Sequence, residues 1–468
     1  MTNAESNPQG TAGNPKLTME ELVSFAKRRG FVFQASEIYG GVAGIYDYGP
    51  YGAELKNNLK AAWWRSMVYA NTNVVGLDSA IIQHPRVWEA SGHVERFNDP
   101  MVDCKHCKHR YRADKLTDLD SANKAELEAA LAQTKCPNCG HIEWTEPKDF
   151  NLLVETELGA VEGDRTTVYL RGETCQSIYT NFENVVETAR QKLPFGIAQI
   201  GKAFRNEITP GDFLFRQREF EQMELQMFVH PDQAEEAFAE WKQRRMDWHQ
   251  QLFGDNHAAK GETQLRFREH GHNERAHYAK AAFDIEYDFP FGFKEVEGIH
   301  NRGDWDLSRH SQYSGRDLSY YEEASGTRFI PWVIETSVGL DRLFMEALLS
   351  CYAEEEVGGE KRVVLRLPTE LAPVKVAILP LSKKPTLSKV SREVFDGISG
   401  RYKVEYDETQ SIGRRYRRQD EIGTPYCVTI DFDSLDDQAV TVRERDSMAQ
   451  ERIKIAELAD YLKDKFAL

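Results

Sequence analysis

The chain has 468 residues, 41% of them hydrophobic and 11% aromatic, with a formal net charge of −16. That length predicts two or three domains, and the apolar content fills real cores, so a disordered chain is excluded. The acidic balance argues against a nucleic-acid coat but leaves room for a local basic groove, and no apolar run of roughly 18 residues exists to span a bilayer.

In chain order, residues 1–16 are polar and lack the basic, apolar and cleavage regions of a targeting signal, so a disordered tail on a soluble cytoplasmic protein is expected. LTMEELVSFAKRRG places Met19, Leu22, Phe25 and Ala26 at helical spacing, and YGAELKNNLKAAWWRSMVYA puts Leu55, Leu59, Trp63 and Met67 on one stripe of a longer helix. GLDSAIIQHP then reads as an apolar strand closed by Pro85.

Four of the seven cysteines form Cys104-x2-Cys107 and Cys136-x2-Cys139, with 28 residues between the pairs. Each pair presents two thiolates from one tight turn, and the two pairs complete a tetrahedral Zn²⁺ site with no position left for water, hence a structural metal; the alternative is four reduced surface thiols. SANKAELEAALAQ fills the spacer as a helix, giving a zinc-binding insertion over 103–145. Cys175, Cys351 and Cys427 are isolated, so no disulfide framework is expected.

Strand character returns over 151–185, where Glu173 heads a helical segment. Residues 201–224, GKAFRNEITPGDFLFRQREFEQME, read as two strands joined by a polar loop. Alternation puts Arg216, Arg218, Phe220, Gln222 and Glu224 on one face, and Arg205 and Glu207 likewise. Such a surface suits a nucleotide, with guanidinium for phosphate, a ring for the base and a carboxylate for an amine; a solvated charged hairpin is the alternative.

Residues 231–280 read as a charged helical insertion whose His249, His257, His270, His272 and His277 form no metal pattern and suit solvent or RNA. Glu295 and Glu297 follow, two apart on one strand face. PWVIETSVGLDRLFMEALL runs from a strand through Glu335, Thr336, Ser337 and Gly339 into a helix whose Arg342 can reach over a ligand. Acidic, Gly and Pro residues over 352–373 mark a boundary. A compact α/β pattern follows, ending in a helix AQERIKIAELADYLKDKF, and within it Arg414, Arg415, Arg417 and Arg418 flank Tyr416, an arrangement suited to RNA phosphates and bases or to a solvated basic helix.

Phe204, Arg205, Glu207, Arg216, Phe220 and Glu224 resemble the second signature motif of class II aminoacyl-tRNA synthetases, and Gly339 with Arg342 resembles the third. The long helix, the strand after it and its terminal Pro85 are similar to the degenerate first motif, which in that class forms the dimer interface. EIYGGVAGIYDYGPYGAELKNN, VWEASGHVERFNDPMVDC, RYRADKL and LRGETCQSIY look like the bacterial homodimeric glycine–tRNA ligase family. The resemblance implies an α+β catalytic domain with an antiparallel sheet over 17–365, a zinc-ribbon-like insertion, and a C-terminal α/β anticodon-binding domain over 371–468.

It also implies ATP over Arg205, Asn206, Glu207, Phe215, Arg216, Phe220, Glu295, Val296, Gly339, Leu340, Asp341 and Arg342, with Mg²⁺ on Glu295 and the base between Phe220 and Arg342. Arg205 and Arg342 carry catalysis, Arg112, Glu173, Phe220, Glu224, Glu335, Thr336 and Ser337 hold glycine, and Arg414, Arg415, Arg417 and Arg418 touch tRNA(Gly). The chain departs from the family's pattern at Gly172, Cys175 and Thr336. A class II enzyme for another amino acid and a non-catalytic RNA-binding relative are the rivals; a phosphate loop and the signatures of the other synthetase class are absent.

Overall fold

The computed structural model describes residues 17–117, 119, 124–161, 163, 165–254, 256, 264–271 and 279–466. The tail expected over 1–16 lies outside them, as do His257, His272 and His277.

A seven-stranded sheet forms the centre. Its strands are β1 (Val74–Gly76), β2 (Phe195–Phe204), β3 (Glu219–Val229), β4 (Leu265–Glu269), β5 (Ala281–Phe289), β6 (Gly292–Gly303) and β7 (Trp332–Gly339), in the order β4-β5-β6-β7-β3-β2-β1. All pairings are antiparallel except β1 with β2.

Strict alternation in β3 decides what each side of the sheet becomes. Met223, Leu225, Met227 and Val229 enter one large apolar core with helices α1 (Met19–Arg28), α2 (Pro50–Trp64), α3 (Ala234–Phe253) and α4 (Leu340–Cys351). Phe220, Gln222, Glu224, Gln226 and Phe228 face the other way. At the Phe228 end that second side is closed by a smaller apolar cluster with Phe195, Ile197, Ile178, Tyr179, Phe182 and Leu307. At the Phe220 end it opens into a cavity.

Several expectations fall to longer-range pairing. Pro85 does not close a strand: only Ile82–Gln83 is extended, and Pro85 opens a short helix, where its missing N–H costs nothing and His84 Nδ1 accepts from Arg86 N–H at 3.2 Å. The stretch 231–280 is not helical throughout, because β4 lies within it and pairs with β5 from Leu265↔Tyr287 to Glu269↔Phe283. Glu295 and Glu297 do not share a face, since a register break opposite Ile285 and Glu286 leaves Val296 as an extra residue and turns the two carboxylates to opposite sides. His249, expected to meet solvent or RNA, is fully buried on α3 with Nε2 2.9 Å from Glu297.

Beyond a hairpin, 352–357 with 360–365, the C-terminal residues form a five-stranded sheet of β8 (Val376–Pro380), β9 (Val404–Tyr406), β10 (Tyr426–Ile430), β11 (Ala439–Glu444) and β12 (Gln450–Lys454) in the order β9-β8-β10-β11-β12. Helix α5 (Pro385–Ile398), α6 (Ile412–Ile422) and α7 (Leu458–Phe466) pack on it. The expected terminal helix starts only at Leu458; QERIK before it is β12, antiparallel to β11. Among the described residues no helix is long and apolar enough to cross a membrane.

Glu297 is fully buried with Arg245 at 2.6 and 3.0 Å. Arg245→Ala strands that carboxylate, so the variant is expected to lose about 3–5 kcal/mol in chemical unfolding. A loss below 1 kcal/mol would show that His249 alone compensates the charge.

Candidate active site

The cavity lies at the open end of β3 and is lined by Arg205, Glu207, Leu214, Phe215, Arg216, Gln217, Phe220, Gln222, Glu295, Ser337, Gly339, Asp341 and Arg342. Residues from the loop between β2 and β3, from the β7–α4 junction and from β6 thus meet in one place. Arg205 Nε donates to the Gly172 carbonyl at 3.2 Å, and its guanidinium carbon lies 5.2 Å from the ring centres of both Phe97 and Phe220. Arg342 donates to the carbonyls of Phe215 and Glu295 at 3.2 and 3.0 Å, pairs with the Glu295 carboxylate at 3.1 Å, and lies over the Phe215 ring at 4.1 Å. Arg342 therefore sits against Phe215, and Phe220 has Arg205 beside it.

Not every expected residue points into the cavity. Strand β3 begins only at Glu219, so Arg218 turns back to the carbonyls of Glu207 and Ala43, both at 2.8 Å, and Gln217 takes its place on the wall. Asn206 is exposed and binds through its backbone N–H to Leu152. The side chains of Val296 and Leu340 are fully buried in the core beneath. Asp341 lines the cavity, yet its carboxylate is already engaged: it accepts from Lys56 at 3.0 Å, from the Glu221 N–H at 2.8 Å and from the Tyr48 hydroxyl.

Behind Gln222 and Ser337 of the cavity wall lies a buried acidic cluster. Glu224 and Ser337 are directly paired across β3 and β7, and Ser337 Oγ donates to Glu224 Oε1 at 2.7 Å. Glu224 also accepts from Thr174 at 2.5 Å and Gln222 at 3.0 Å. Glu335 accepts from Gln226 at 2.8 Å and Arg302 at 3.0 and 3.2 Å, with His300 Nδ1 at 2.7 Å. Glu173 accepts from Cys175 and Gln176, both at 2.9 Å, with His93 at 3.5 Å and Arg302 at 4.0 Å.

These neighbours split the three carboxyls. Burial pushes each toward the neutral form, but Arg302 and His300 hold Glu335 down at about 2, and His93 with Arg302 holds Glu173 well below the usual range. Among the described residues Glu224 pairs with no cation: burial, and then the like charges of Glu335 and Glu173, push it up to about 8.

Thr336, between Glu335 and Ser337, belongs to the opposite row with Ile334 and Val338, so its side chain faces the helix-covered core. Arg112 stands apart, in ion pairs with Asp99 at 3.0 Å and Asp114 at 2.7 Å. His300 and Arg302 escaped the sequence reading. Their signal was a pair of polar residues on alternate positions at the end of a buried strand.

In the insertion, the Cys104 and Cys139 sulfurs are 3.6 Å apart, as are those of Cys107 and Cys136, and all four lie within 4.8 Å of one another. A tetrahedron with Zn–S of ~2.3 Å has S···S edges of ~3.8 Å, so the donor set fits. The expected spacer helix covers Lys124–Leu131.

On α6 the four arginines divide. Arg415 is buried and donates to the Pro380 and Asp407 carbonyls, and Arg418 is tied to Asp407, Gln410 and Thr409. Arg414 and Arg417 line an open cavity with Tyr416 and Arg443.

An antiparallel core whose cavity is walled by three arginines and three carboxylates, joined to an α/β unit, is the architecture of a class II tRNA synthetase with its anticodon-binding domain. The family model for the tRNA synthetase class II core domain (G, H, P, S and T) matches residues 155–352, and that for the anticodon binding domain matches 375–465. The chain is 51% identical to the glycine–tRNA ligase of Borreliella burgdorferi over 96% of its own length and 97% of the relative's. It is 49% identical to that of Treponema denticola (96% and 97%) and 50% identical to that of Caldanaerobacter subterraneus (96% and 99%). The chain belongs to the glycine–tRNA ligase family.

A carboxyl raised in the folded state keeps a proton that the unfolded chain has released. Glu224 therefore lowers stability progressively as pH rises from the ordinary glutamate value, about 4.3, to about 8. Glu224→Gln is expected to gain on the parent in denaturation midpoint across that window and to run parallel to it above. A difference independent of pH would contradict the assignment.

Proposed function

We propose that the protein attaches glycine to the 3′ end of tRNA(Gly) in two steps, by way of glycyl-adenylate. The observation that carries this reading is the acidic cluster of Glu173, Glu224 and Glu335 behind Gln222 and Ser337, which bond Glu224 and line a cavity walled by Arg205, Arg216 and Arg342. An amino acid held by its ammonium on the carboxylates turns its own carboxylate toward the cations. Arg205 binds the α-phosphate, Arg342 and Arg216 take the outer phosphates, and the base lies on Phe220.

Glycine's carboxylate oxygen attacks the α-phosphorus in line as the bond to pyrophosphate breaks. Arg205 stabilises the charge that accumulates on the phosphoryl oxygens, and positioning supplies most of the rest. A Mg²⁺ at Glu295 supplies further neutralisation of the phosphate charge when bound. The tRNA ribose hydroxyl then attacks the adenylate carbonyl and releases AMP.

Ser337, hydrogen-bonded to Glu224, fills the place where a larger side chain would go, so selection is steric. Arg112, outside the recess, acts on this reading only through Asp99 beside Glu207 and Arg216. Thr336 contributes backbone alone. Arg414 and Arg417 meet the RNA, while Arg415 and Arg418 shape the helix that presents them. A second copy of the chain covers Ile38, Tyr39 and Tyr69, which are 87%, 87% and 75% exposed. The work is placed in the cytoplasm, and the four cysteines hold a structural Zn²⁺.

The test is ATP–pyrophosphate exchange with each of the twenty amino acids. Exchange with glycine alone is expected, reduced roughly 10²–10³-fold in Arg205→Ala. Exchange with a different amino acid would overturn the recess, and none at all would favour a non-catalytic relative. For the insertion, elemental analysis is expected to give one zinc per chain, lost in Cys107→Ser with a lower melting temperature; a metal-free parent of equal stability would sink the zinc assignment.

A further inference from the structure

The C-terminal unit is joined to the catalytic core by a hydrogen-bonded line that reaches the ATP cavity. It starts on α6, the helix carrying Arg414 and Arg417. The buried Gln419 donates from Nε2 to Glu405 Oε2 at 2.9 Å, and its own Oε1 is fixed by Thr424 at 2.6 Å. The other oxygen of Glu405 accepts from the Tyr51 hydroxyl at 2.7 Å, across the boundary between the two units.

Tyr51 is the second residue of α2. Further along this helix Lys56 reaches Asp341 Oδ1 and Glu221 Oε2, both at 3.0 Å, and its ammonium lies 4.0 Å from the centre of the Tyr48 ring. Asp341 in turn accepts the Glu221 N–H at 2.8 Å and is followed directly by Arg342. Both Lys56 and Asp341 are buried, so a shift of α2 moves a compensated charge pair at the base of the cavity rather than a solvated one.

We propose that Tyr51 and Glu405 are positioning residues through which engagement of RNA on α6 fixes α2, and with it the Lys56–Asp341 pair that sets Arg342. This rests on the reading of the cavity as the site of glycine activation. The line differs from general domain contact because it passes through the two carboxylate oxygens of Glu405, each held by one directional donor from a different unit. Other links across the boundary, Arg29 to Glu421 at 2.7 Å and Asn58 to the carbonyls of Leu371 and Ala372 at 3.1 Å, remain when the tyrosine hydroxyl is removed.

The experiment compares parent, Tyr51→Phe, Glu405→Ala and the double variant in three assays: glycine-dependent ATP–pyrophosphate exchange without tRNA, charging of full-length tRNA(Gly), and charging of an acceptor minihelix that cannot reach α6. Tyr51→Phe is expected to lower kcat/KM for full-length tRNA roughly five- to tenfold, in the range of ordinary coupling between sites. Exchange and minihelix charging stay at the parent's level, and the double variant is no worse than Glu405→Ala alone.

Equal losses in all three assays would reduce the pair to a structural contact and overturn the proposal. Undiminished charging of full-length tRNA would overturn it too. A parent without glycine-dependent exchange would be a different failure, that of the underlying reading.

Discussion

Burying three carboxyl groups beside one another is the constraint on which the site depends. Each pays the cost of leaving water, and like charges so close cannot all ionise unless cations are placed among them. Arg302, itself fully enclosed and anchored on Asp306 at 2.8 and 3.0 Å, holds Glu335 ionised, and His93 together with Arg302 does the same for Glu173. Glu224, beyond its reach, is left with hydroxyl and amide donors. The recess therefore keeps an unmet demand for positive charge, which an ammonium can satisfy.

The sheet makes this possible by separating its two sides. One side is covered by α1 to α4 and is apolar but for Thr336 and the buried group of Glu297, Arg245 and His249. The other grades along β3 from Phe228 through Gln226 and Glu224 to Gln222 and Phe220, from packed cluster to polar recess to open cavity. β6 achieves the same separation only by its register break, which sends Glu295 to the cavity and Glu297 into an ion pair with Arg245. One residue of slip there would exchange a ligand-facing carboxylate for a structural one.

The same economy recurs in the charged residues around the cavity. Asp341 looks like a ligand group by position, but Lys56, Tyr48 and the Glu221 backbone occupy it, and its work is to fix the start of α4. Arg415 and Arg418 look like RNA contacts by composition, yet they cap carbonyls and pair with Asp407.

The sequence by itself determined what depends on local period and spacing. It specified the alternating faces of β3 from Phe220 to Glu224, the two C-x2-C turns whose sulfurs converge, the strand-to-helix junction at Gly339, and the motif residues that bring Arg205, Phe220 and Arg342 to one cavity. Tertiary structure alone decided which charges are spent and which remain available. The partners of Glu335, Asp341, His249 and Arg415 come from distant segments, and a side chain's role follows from what it meets once water is removed. Neighbours in sequence do not report that, so His300, Arg302 and Lys56 passed as ordinary polar residues, whereas the packed sheet makes them the groups that set the charge of the site.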